Sequence, residues 1–159
     1  MRYSSFLALL AGGCLSLPCA AGAADERDVQ VWANAGLLSY HFERSKNYNE
    51  TNLGLGGEVL LAPDHAVIAG FYENSEREHS RYFGYQWRPL HWQPGGVKVS
   101  AGLALSVIDG YPSVSDRGWF LAPIPMLAIE GERFDANLIF APNVKHGSAV
   151  AVQFKLRLR

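Results

Sequence analysis

Hydrophobic residues recur at every second position over much of this chain. The clearest runs lie at residues 83–87, 97–107, 134–140 and 150–158, where apolar side chains alternate with small or polar ones. Successive side chains of a β-strand point to opposite faces of the sheet, so this spacing is typical of strands with one apolar face. We therefore expect an all-β protein.

Turn-forming residues divide the alternating pattern into eight segments. Some divisions are tight, as at Pro63-Asp64, and others are longer polar stretches. Most segments have the roughly nine to eleven residues that a tilted strand needs to cross a lipid bilayer. The predicted strands cover residues 27–43, 51–61, 66–74, 79–89, 95–109, 117–130, 132–142 and 147–158.

The start of the chain has the composition of a secretory signal peptide. A positive residue and an apolar run precede Ala21-Gly22-Ala23, which is a small-x-small cleavage sequence. We assign residues 1–23 to a signal peptide and residues 24–159 to one β-barrel domain. Cys14 and Cys19 both lie in the leader, so we expect no disulfide in the folded domain.

Two architectures fit eight strands in an exported chain. One is a transmembrane β-barrel, and the other is a soluble β-sandwich or lipocalin-like barrel with its apolar faces inward. We favour an eight-stranded antiparallel transmembrane β-barrel, because the second face of the strands is rich in Gly, Ala and Ser, as a narrow lumen requires. Aromatic residues near strand ends also suggest interfacial girdles: Trp32, Tyr82, Trp87, Trp92 and Trp119.

Composition narrows the classes of function. A formal net charge of −1 disfavours a nucleic-acid groove, which needs a basic surface. The five histidines lack close ligand spacing, so we expect neither a metal site nor a metal cofactor. We expect a monomer whose partner is the membrane and not nucleic acid.

The barrel topology brings reactive side chains from distant segments to one rim. With the amino terminus on the inner side of the membrane, the outer loops are 44–50, 74–79, 110–117 and 142–146. His41 ends the first strand, Asn74 and Ser75 end the third, and Asp109 ends the fifth. A histidine beside a hydroxyl group can form an activated nucleophile or a general base. The same residue types are also ordinary at solvated strand ends and turns.

Prolines mark a second unusual region. Pro123 and Pro125 interrupt the sixth predicted strand, and Pro142 ends the seventh. Proline has no N–H group, so neighbouring strands lose pairing bonds at these positions. The consequence is either a simple strand distortion or a weakly bonded seam through which a lipid tail passes sideways into the lumen.

Several motifs occur in an order that is informative as a set. They are Tyr48-Asn49-Glu50, Gly54-x-Gly56-Gly57, Asn74-Ser75, Gly84-Tyr85-Gln86-Trp87-Arg88-Pro89-Leu90, Gly102 to Gly110, Pro123-Ile124-Pro125 and Leu138-Ile139-Phe140-Ala141-Pro142. In this order and spacing, residues 36–158 resemble the lipid A palmitoyltransferase family of outer-membrane barrels, the PagP-type barrels.

The resemblance implies an outer-membrane enzyme that moves a palmitoyl chain from a phospholipid donor to a lipid A acceptor without a cofactor. It implies His41, Asn74 and Ser75 as catalytic residues, with Asn74-Ser75 standing where the family has Asp-Ser. Asparagine cannot act as a base, so Asp109 is the candidate for the missing carboxylate. The chain departs from the family in lacking its amphipathic amino-terminal helix and a proline in the first strand.

Two other functions stay open at this point. A lipid A deacylase or phospholipase barrel would use His146 and Ser148, a His-x-Ser pair at the fourth outer loop. A non-catalytic barrel would bind surface ligands through its loops.

Overall fold

The computed structural model describes residues 29–142 and 147–159, and these form one closed barrel of eight antiparallel strands. Each strand pairs with its sequence neighbours, and the first strand closes the barrel against the last. The strands are β1 Gln30–His41, β2 Thr51–Ala62, β3 His65–Glu73, β4 His79–Trp92, β5 Lys98–Ile108, β6 Phe120–Glu130, β7 Phe134–Ala141 and β8 Ala149–Arg157. The predicted fold class and all eight strands are confirmed, with ends that shift by a few residues.

Among the residues that the structure describes, helical structure is limited to single turns in the connections: Arg44–Lys46, Pro94–Gly96 and Pro112–Ser115. Within the described ranges, no helix has the length and apolar character needed to cross a membrane. The predicted signal peptide, residues 1–23, lies outside the described residues.

The two ends of the barrel differ. The connections 42–50, 74–78 and 109–119 meet at one end, together with the end of β7 and the start of β8, and we call it the loop end. The chain's first and last described residues lie at the other, the terminal end, with the connections 63–64, 93–97 and 131–133. The predicted gathering of the first, third, fifth and seventh connections at one rim is therefore confirmed.

The outer wall of the barrel is apolar and the inner wall is mixed. Leu103 is exposed while the next residue, Ala104, is buried, and Phe154 is exposed while Lys155 is buried. The same alternation leaves large hydrophobic side chains exposed on all eight strands. A continuous apolar surface of this extent is unusual on a soluble monomer but typical of the lipid-facing wall of a transmembrane barrel.

Two of the aromatic residues predicted for the interfacial girdles point into the lumen instead. Trp32 is 4% exposed, and the Lys155 ammonium lies 5.3 Å from the centroid of its ring. Tyr82 places its hydroxyl against Gly56 and Gly70, where an added Cβ would come within 2.2 and 2.6 Å of it. Strand alternation, and not side-chain type, decides the face at these positions. The other predicted girdle residues are exposed: Trp87, Trp92 and Trp119.

Buried charges fill the terminal half of the lumen. Lys155 Nζ lies 2.9 Å from Glu58 Oε1 and 3.3 Å from Asp135 Oδ2. Arg88 Nη2 lies 3.4 Å from the same oxygen of Glu58, and Arg88 Nη1 lies 3.8 Å from Glu130 Oε1. We call these five residues the lumen charge cluster. The sequence pattern did not predict this cluster. A polar side chain that faces a lumen and one that faces water occupy the same alternate positions of a strand, so alternation cannot distinguish them.

The ladder between β6 and β7 is interrupted. It pairs only four residues of each strand, from Ile129 opposite Ala136 to Met126 opposite Ile139. The ladder between β6 and β5 continues through Pro125 and Pro123 to the end of the strand. We call the unpaired region, between residues 120–125 of β6 and the end of β7, the β6–β7 gap. The predicted loss of pairing at the prolines is confirmed on the β7 side.

An arginine on the lipid-facing wall should destabilise the barrel most at mid-strand. Leu103 lies at the centre of β5, whereas Val97 precedes that strand at the terminal end. We expect Leu103→Arg to lower the free energy of unfolding by about 2–4 kcal/mol and Val97→Arg by about 0–1 kcal/mol, since the cost falls from the bilayer midplane to the interface. Denaturant titrations in lipid vesicles measure both. Equal costs for the two variants would contradict the lipid-facing assignment.

Candidate functional site

The loop half of the lumen contains a cavity of about 560 Å³. This volume falls within the roughly 300–1,000 Å³ typical of small-ligand pockets. Gln86 and Gln153 line it on the side of the lumen charge cluster and form its floor. Its walls are largely apolar and include Ile68, Ala104, Ile108, Met126, Ile139 and Ala151.

The cavity also opens through the side of the barrel. Leu121 and Pro123 of β6 and Pro142 after β7 all line it, and they stand on opposite sides of the β6–β7 gap. Leu121 is 62% exposed on the outer wall and still lines the cavity. The interior is therefore continuous with the lipid-facing surface at this point.

His41 and Ser75, two of the predicted site residues, both line the mouth of the cavity at the loop end. The first outer loop connects them. The Tyr48 ring packs on the His41 ring with 4.8 Å between centroids, and the Asn49 N–H donates to the Ser75 carbonyl oxygen at 2.9 Å. The structure thus places a histidine at the end of β1 and a serine shortly after β3 on the same cavity, at the rim that the topology predicted.

A carboxylate stands behind His41. Glu50 Oε1 accepts a hydrogen bond from the His41 backbone N–H at 3.0 Å and lies 3.9 Å from the His41 Nδ1 atom. The Arg44 guanidinium, hydrogen-bonded to Glu50, lowers the pKa of that carboxyl group, and the His41 N–H adds to this effect. Glu50 is therefore charged where it faces the imidazole of His41.

The Nδ1 atom of His41 is buried and has no hydrogen-bond partner among residues 29–142 and 147–159. A buried ring nitrogen without a partner is costly in a static fold, and it is available to exchange a proton. Glu50 belongs to the motif Tyr48-Asn49-Glu50, from which no role was predicted for it. Only the hydrogen bond from the His41 backbone N–H shows which side chain it faces.

Asn74 does not act at the mouth of the cavity, because its side chain is fully occupied. Its amide nitrogen donates to Ser80 Oγ at 2.9 Å and to the Gly110 carbonyl at 2.8 Å. Its amide oxygen accepts from the backbone N–H groups of Glu76 at 2.8 Å and Glu78 at 3.1 Å. Asn74 therefore holds the β3–β4 connection and ties it to the loop after β5. The prediction of a direct catalytic role for Asn74 has no support in this geometry.

Asp109 is also committed elsewhere and does not line the cavity. Its two oxygens accept hydrogen bonds from the backbone N–H and the guanidinium of Arg81, which stacks on Trp119 at 5.2 Å. Burial acts to raise the pKa of Asp109, but the hydrogen bonds and charge of Arg81 outweigh it and lower the pKa. The carboxylate beside His41 is Glu50. Asp109, the candidate for the carboxylate that the family has in its Asp-Ser pair, is held by Arg81 away from the cavity lining.

Tyr111, which flanks the third outer loop, is a second residue at the cavity for which the sequence predicted no role. Its hydroxyl lies 3.1 Å from the Tyr72 hydroxyl, and both rings line the cavity. Burial raises the pKa of Tyr111, so the phenol stays protonated and able to donate. Glu76 accepts from the Ser113 backbone N–H at 3.1 Å, which holds this loop against the one that carries Ser75.

The alternative His-x-Ser pair is only partly described. His146 lies outside the described residues. The Ser148 carbonyl oxygen accepts from the Phe42 N–H at 3.1 Å, and Ser148 does not line the cavity. In the part of the chain that the structure describes, no group of three or more His, Cys, Asp or Glu side chains is arranged to hold a metal ion.

The occupied side chain of Asn74 leads to a test of its structural role. In Asn74→Asp the carboxylate cannot donate to Ser80 or Gly110, so we expect the free energy of unfolding to fall by about 2–3 kcal/mol, near the upper cost of an unsatisfied buried polar group. Asn47→Asp, at an exposed position, is the matched control and should change stability by about 0.5 kcal/mol or less. Denaturant titration measures both, and an Asn74→Asp variant as stable as the control would contradict this role.

Comparisons with known proteins identify an architecture and no family. No family model and no curated protein matches the chain. One similar solved structure comes from the de novo design of transmembrane β-barrels, with a TM-score of 0.60 and 8% identity over 81% of this chain and 95% of that one. Another is the solution NMR structure of the de novo designed TMB2.3, with a TM-score of 0.58 and 12% identity over 82% and 95%. At these identities the likeness shows the fold alone, a transmembrane β-barrel, and hence a membrane location.

Proposed function

We propose that this protein is an outer-membrane enzyme that transfers a palmitoyl chain from a phospholipid to lipid A. The observation that carries the proposal is the apolar cavity, which opens sideways at the β6–β7 gap and has His41 and Ser75 at its loop-end mouth. The ordered motifs that resemble the PagP-type barrels support it. With the terminal end at the inner face of the membrane, the loop end lies at the outer surface, where lipid A is found.

The β6–β7 gap gives the donor a route into the cavity that avoids water. A phospholipid tail that moves from the bilayer through the gap exchanges one apolar environment for another, so entry needs little desolvation. Pro123 and Pro125 keep the gap free of ladder hydrogen bonds. The ester group, at the polar end of the tail, then comes to rest near the loop end.

His41 acts as the general base in this scheme. The lipid A hydroxyl attacks the donor ester carbonyl while His41 takes its proton. The carbon–oxygen bond to the phospholipid glycerol then breaks, and His41 returns the proton to the departing lysophospholipid oxygen. Glu50 stabilises the imidazolium between the two steps, and the Ser75 hydroxyl donates to the oxyanion of the tetrahedral intermediate. No cofactor takes part.

No specific observation favours the other candidate functions. A deacylase or phospholipase built on Ser148 would need that side chain in the cavity, and it does not line it. A barrel that only binds surface ligands has no use for an apolar cavity joined to the lipid-facing wall. Both remain as outcomes of the experiment that follows.

Removing either reactive side chain should abolish transfer while the barrel still folds. We expect His41→Ala to slow transfer by about 10²–10⁴-fold, as for loss of a general base, and Ser75→Ala by about 10²–10³-fold, as for loss of an oxyanion donor. His79→Ala and Ser45→Ala are matched controls at exposed rim positions and should keep the parent rate. Mass spectrometry of lipid A from membranes with each variant measures the added acyl chain.

The same spectra separate the alternatives. Undiminished transfer in His41→Ala and Ser75→Ala would remove both residues from the mechanism. A parent protein that shortens lipid A by one acyl chain would be a deacylase. Unchanged lipid A in the presence of the folded parent would favour the non-catalytic barrel.

Closing the β6–β7 gap should stop the donor from entering. Extending the ladder beyond Met126 and Ile139 places residue 123 opposite residue 142, both on the outer wall. We expect a disulfide in the double variant Pro123→Cys, Pro142→Cys to reduce transfer at least about tenfold, since one tenfold change is about 1.4 kcal/mol of barrier, and a reductant to restore it.

The matched control joins β6 to its fully paired neighbour. A disulfide between Leu105→Cys and Pro123→Cys, which face each other across the β5–β6 ladder, leaves the gap open. Transfer in this control should be the same before and after reduction. Full activity in the oxidised gap variant would show that the donor enters elsewhere.

A further inference from the structure

The lumen charge cluster lies directly beyond the floor of the cavity. Along β4, the inward-facing residue after Gln86 is Arg88, and along β8 the inward-facing residue after Gln153 is Lys155. The cavity above this layer is open at the loop end and through the β6–β7 gap. The lumen charge cluster therefore lies between an open cavity and the terminal end of the barrel.

The cluster crosses the lumen from wall to wall. It takes Glu58 from β2, Arg88 from β4, Glu130 from β6, Asp135 from β7 and Lys155 from β8. Glu58 and Lys155 have side chains with 0% exposure, and that of Arg88 has 2%. The Asp135 side chain is 4% exposed, and that of Glu130, the least buried member of the cluster, is 28% exposed.

The charges are arranged so that each cation contacts two carboxylates. Lys155 contacts Glu58 and Asp135, while Arg88 contacts Glu58 and Glu130. Glu58 is shared between both cations and joins the two halves of the network. Such a network stays free of bulk water only while its charges are paired, because removing one partner leaves a buried charge that draws in water.

The network already has spare hydrogen-bonding capacity. Among the described residues, Glu58 Oε2, Arg88 Nε and Arg88 Nη1 are buried and without a hydrogen-bond partner. Buried polar groups of this kind are usually satisfied by water. A layer with unpaired donors and acceptors next to an open cavity becomes hydrated readily once its ion pairs are broken.

We infer that the lumen charge cluster is a seal that closes the barrel to ions and water beneath the cavity. Trp32 supports it from the terminal end, where its ring packs against the Lys155 ammonium. The seal lets the loop half keep a cavity open to its surroundings without turning the whole lumen into a pore. The inference does not depend on acyl transfer, because it is tested by measuring ion flow through the purified barrel.

The test compares ionic conductance across planar lipid bilayers for the parent protein and two single variants. The parent should be silent. Lys155→Met leaves excess negative charge in the lumen and should raise conductance at least tenfold with a preference for cations. Glu58→Gln leaves Lys155 and Arg88 less compensated, so it should also conduct, and its reversal potential in a salt gradient should shift toward anion preference relative to Lys155→Met.

Two controls separate a broken seal from a damaged barrel. Lys98→Met removes a lysine that is exposed at the terminal end and should stay silent. The double variant Lys155→Met, Asp135→Asn removes the cation together with its second carboxylate and leaves Glu58 paired with Arg88, so its conductance should fall back at least fivefold from that of Lys155→Met. Electrophoretic mobility without heating confirms that each barrel is folded.

Several outcomes would overturn the inference. A parent barrel that conducts steadily would do so, as would folded Lys155→Met and Glu58→Gln variants that are both silent. Equal reversal potentials in the two single variants would show that the leak does not pass through the cluster. If Lys155→Met does not fold, Arg88→Gln breaks the opposite half of the network, and its silence in the folded state would count equally against the seal.

Discussion

Backbone hydrogen bonding is the constraint on which the rest of this structure depends. A strand in hydrocarbon has no water to satisfy its N–H and C=O groups, so every strand must be paired on both sides and the sheet must close. Closure fixes the period-two alternation of side chains between lipid and lumen. The apolar outer wall, the polar inner wall and the position of each candidate residue at the mouth of the cavity all follow from that alternation.

The β6–β7 gap is the place where this constraint is relaxed, and it coincides with the cavity. Along the rest of β6, pairing with β5 is complete. The missing pairs begin next to Pro125, a residue that has no N–H group to leave unsatisfied. Proline therefore lowers the cost of an opening at the point where the wall borders the largely apolar cavity. The prolines that interrupt the pairing of β6 and the cavity inside the barrel therefore lie at the same position.

Much of the fold could be predicted from the sequence because it depends on local periodicity. Alternation located all eight strands, and antiparallel connection then placed His41 and Ser75 at one rim. What alternation cannot supply is the partner of a polar side chain. Lys155 and Glu58 are 97 residues apart and meet only because the barrel closes. Trp32 was predicted to lie at the membrane interface because of its residue type, although its alternate position along β1 places it in the lumen.

The candidate site shows the same limit. Asn74 and Asp109 were chosen by residue type and by their place at strand ends, and both turned out to be held by neighbours in other loops. Glu50 stood in a motif that the sequence analysis quoted, but its role depends on the close approach of the first loop to the end of β1. Tertiary packing decides which loops lie close together, and a short stretch of sequence does not contain this information.

The ladder between β1 and β8 has a consequence for the order of events during biosynthesis. His41 pairs with Ala149, so its position at the rim is completed by the last of the eight barrel strands to be synthesised. Until β8 arrives, β1 has a free edge and the interior has no closed wall. A chain that has not yet completed β8 therefore has neither a closed barrel nor a finished wall around the cavity.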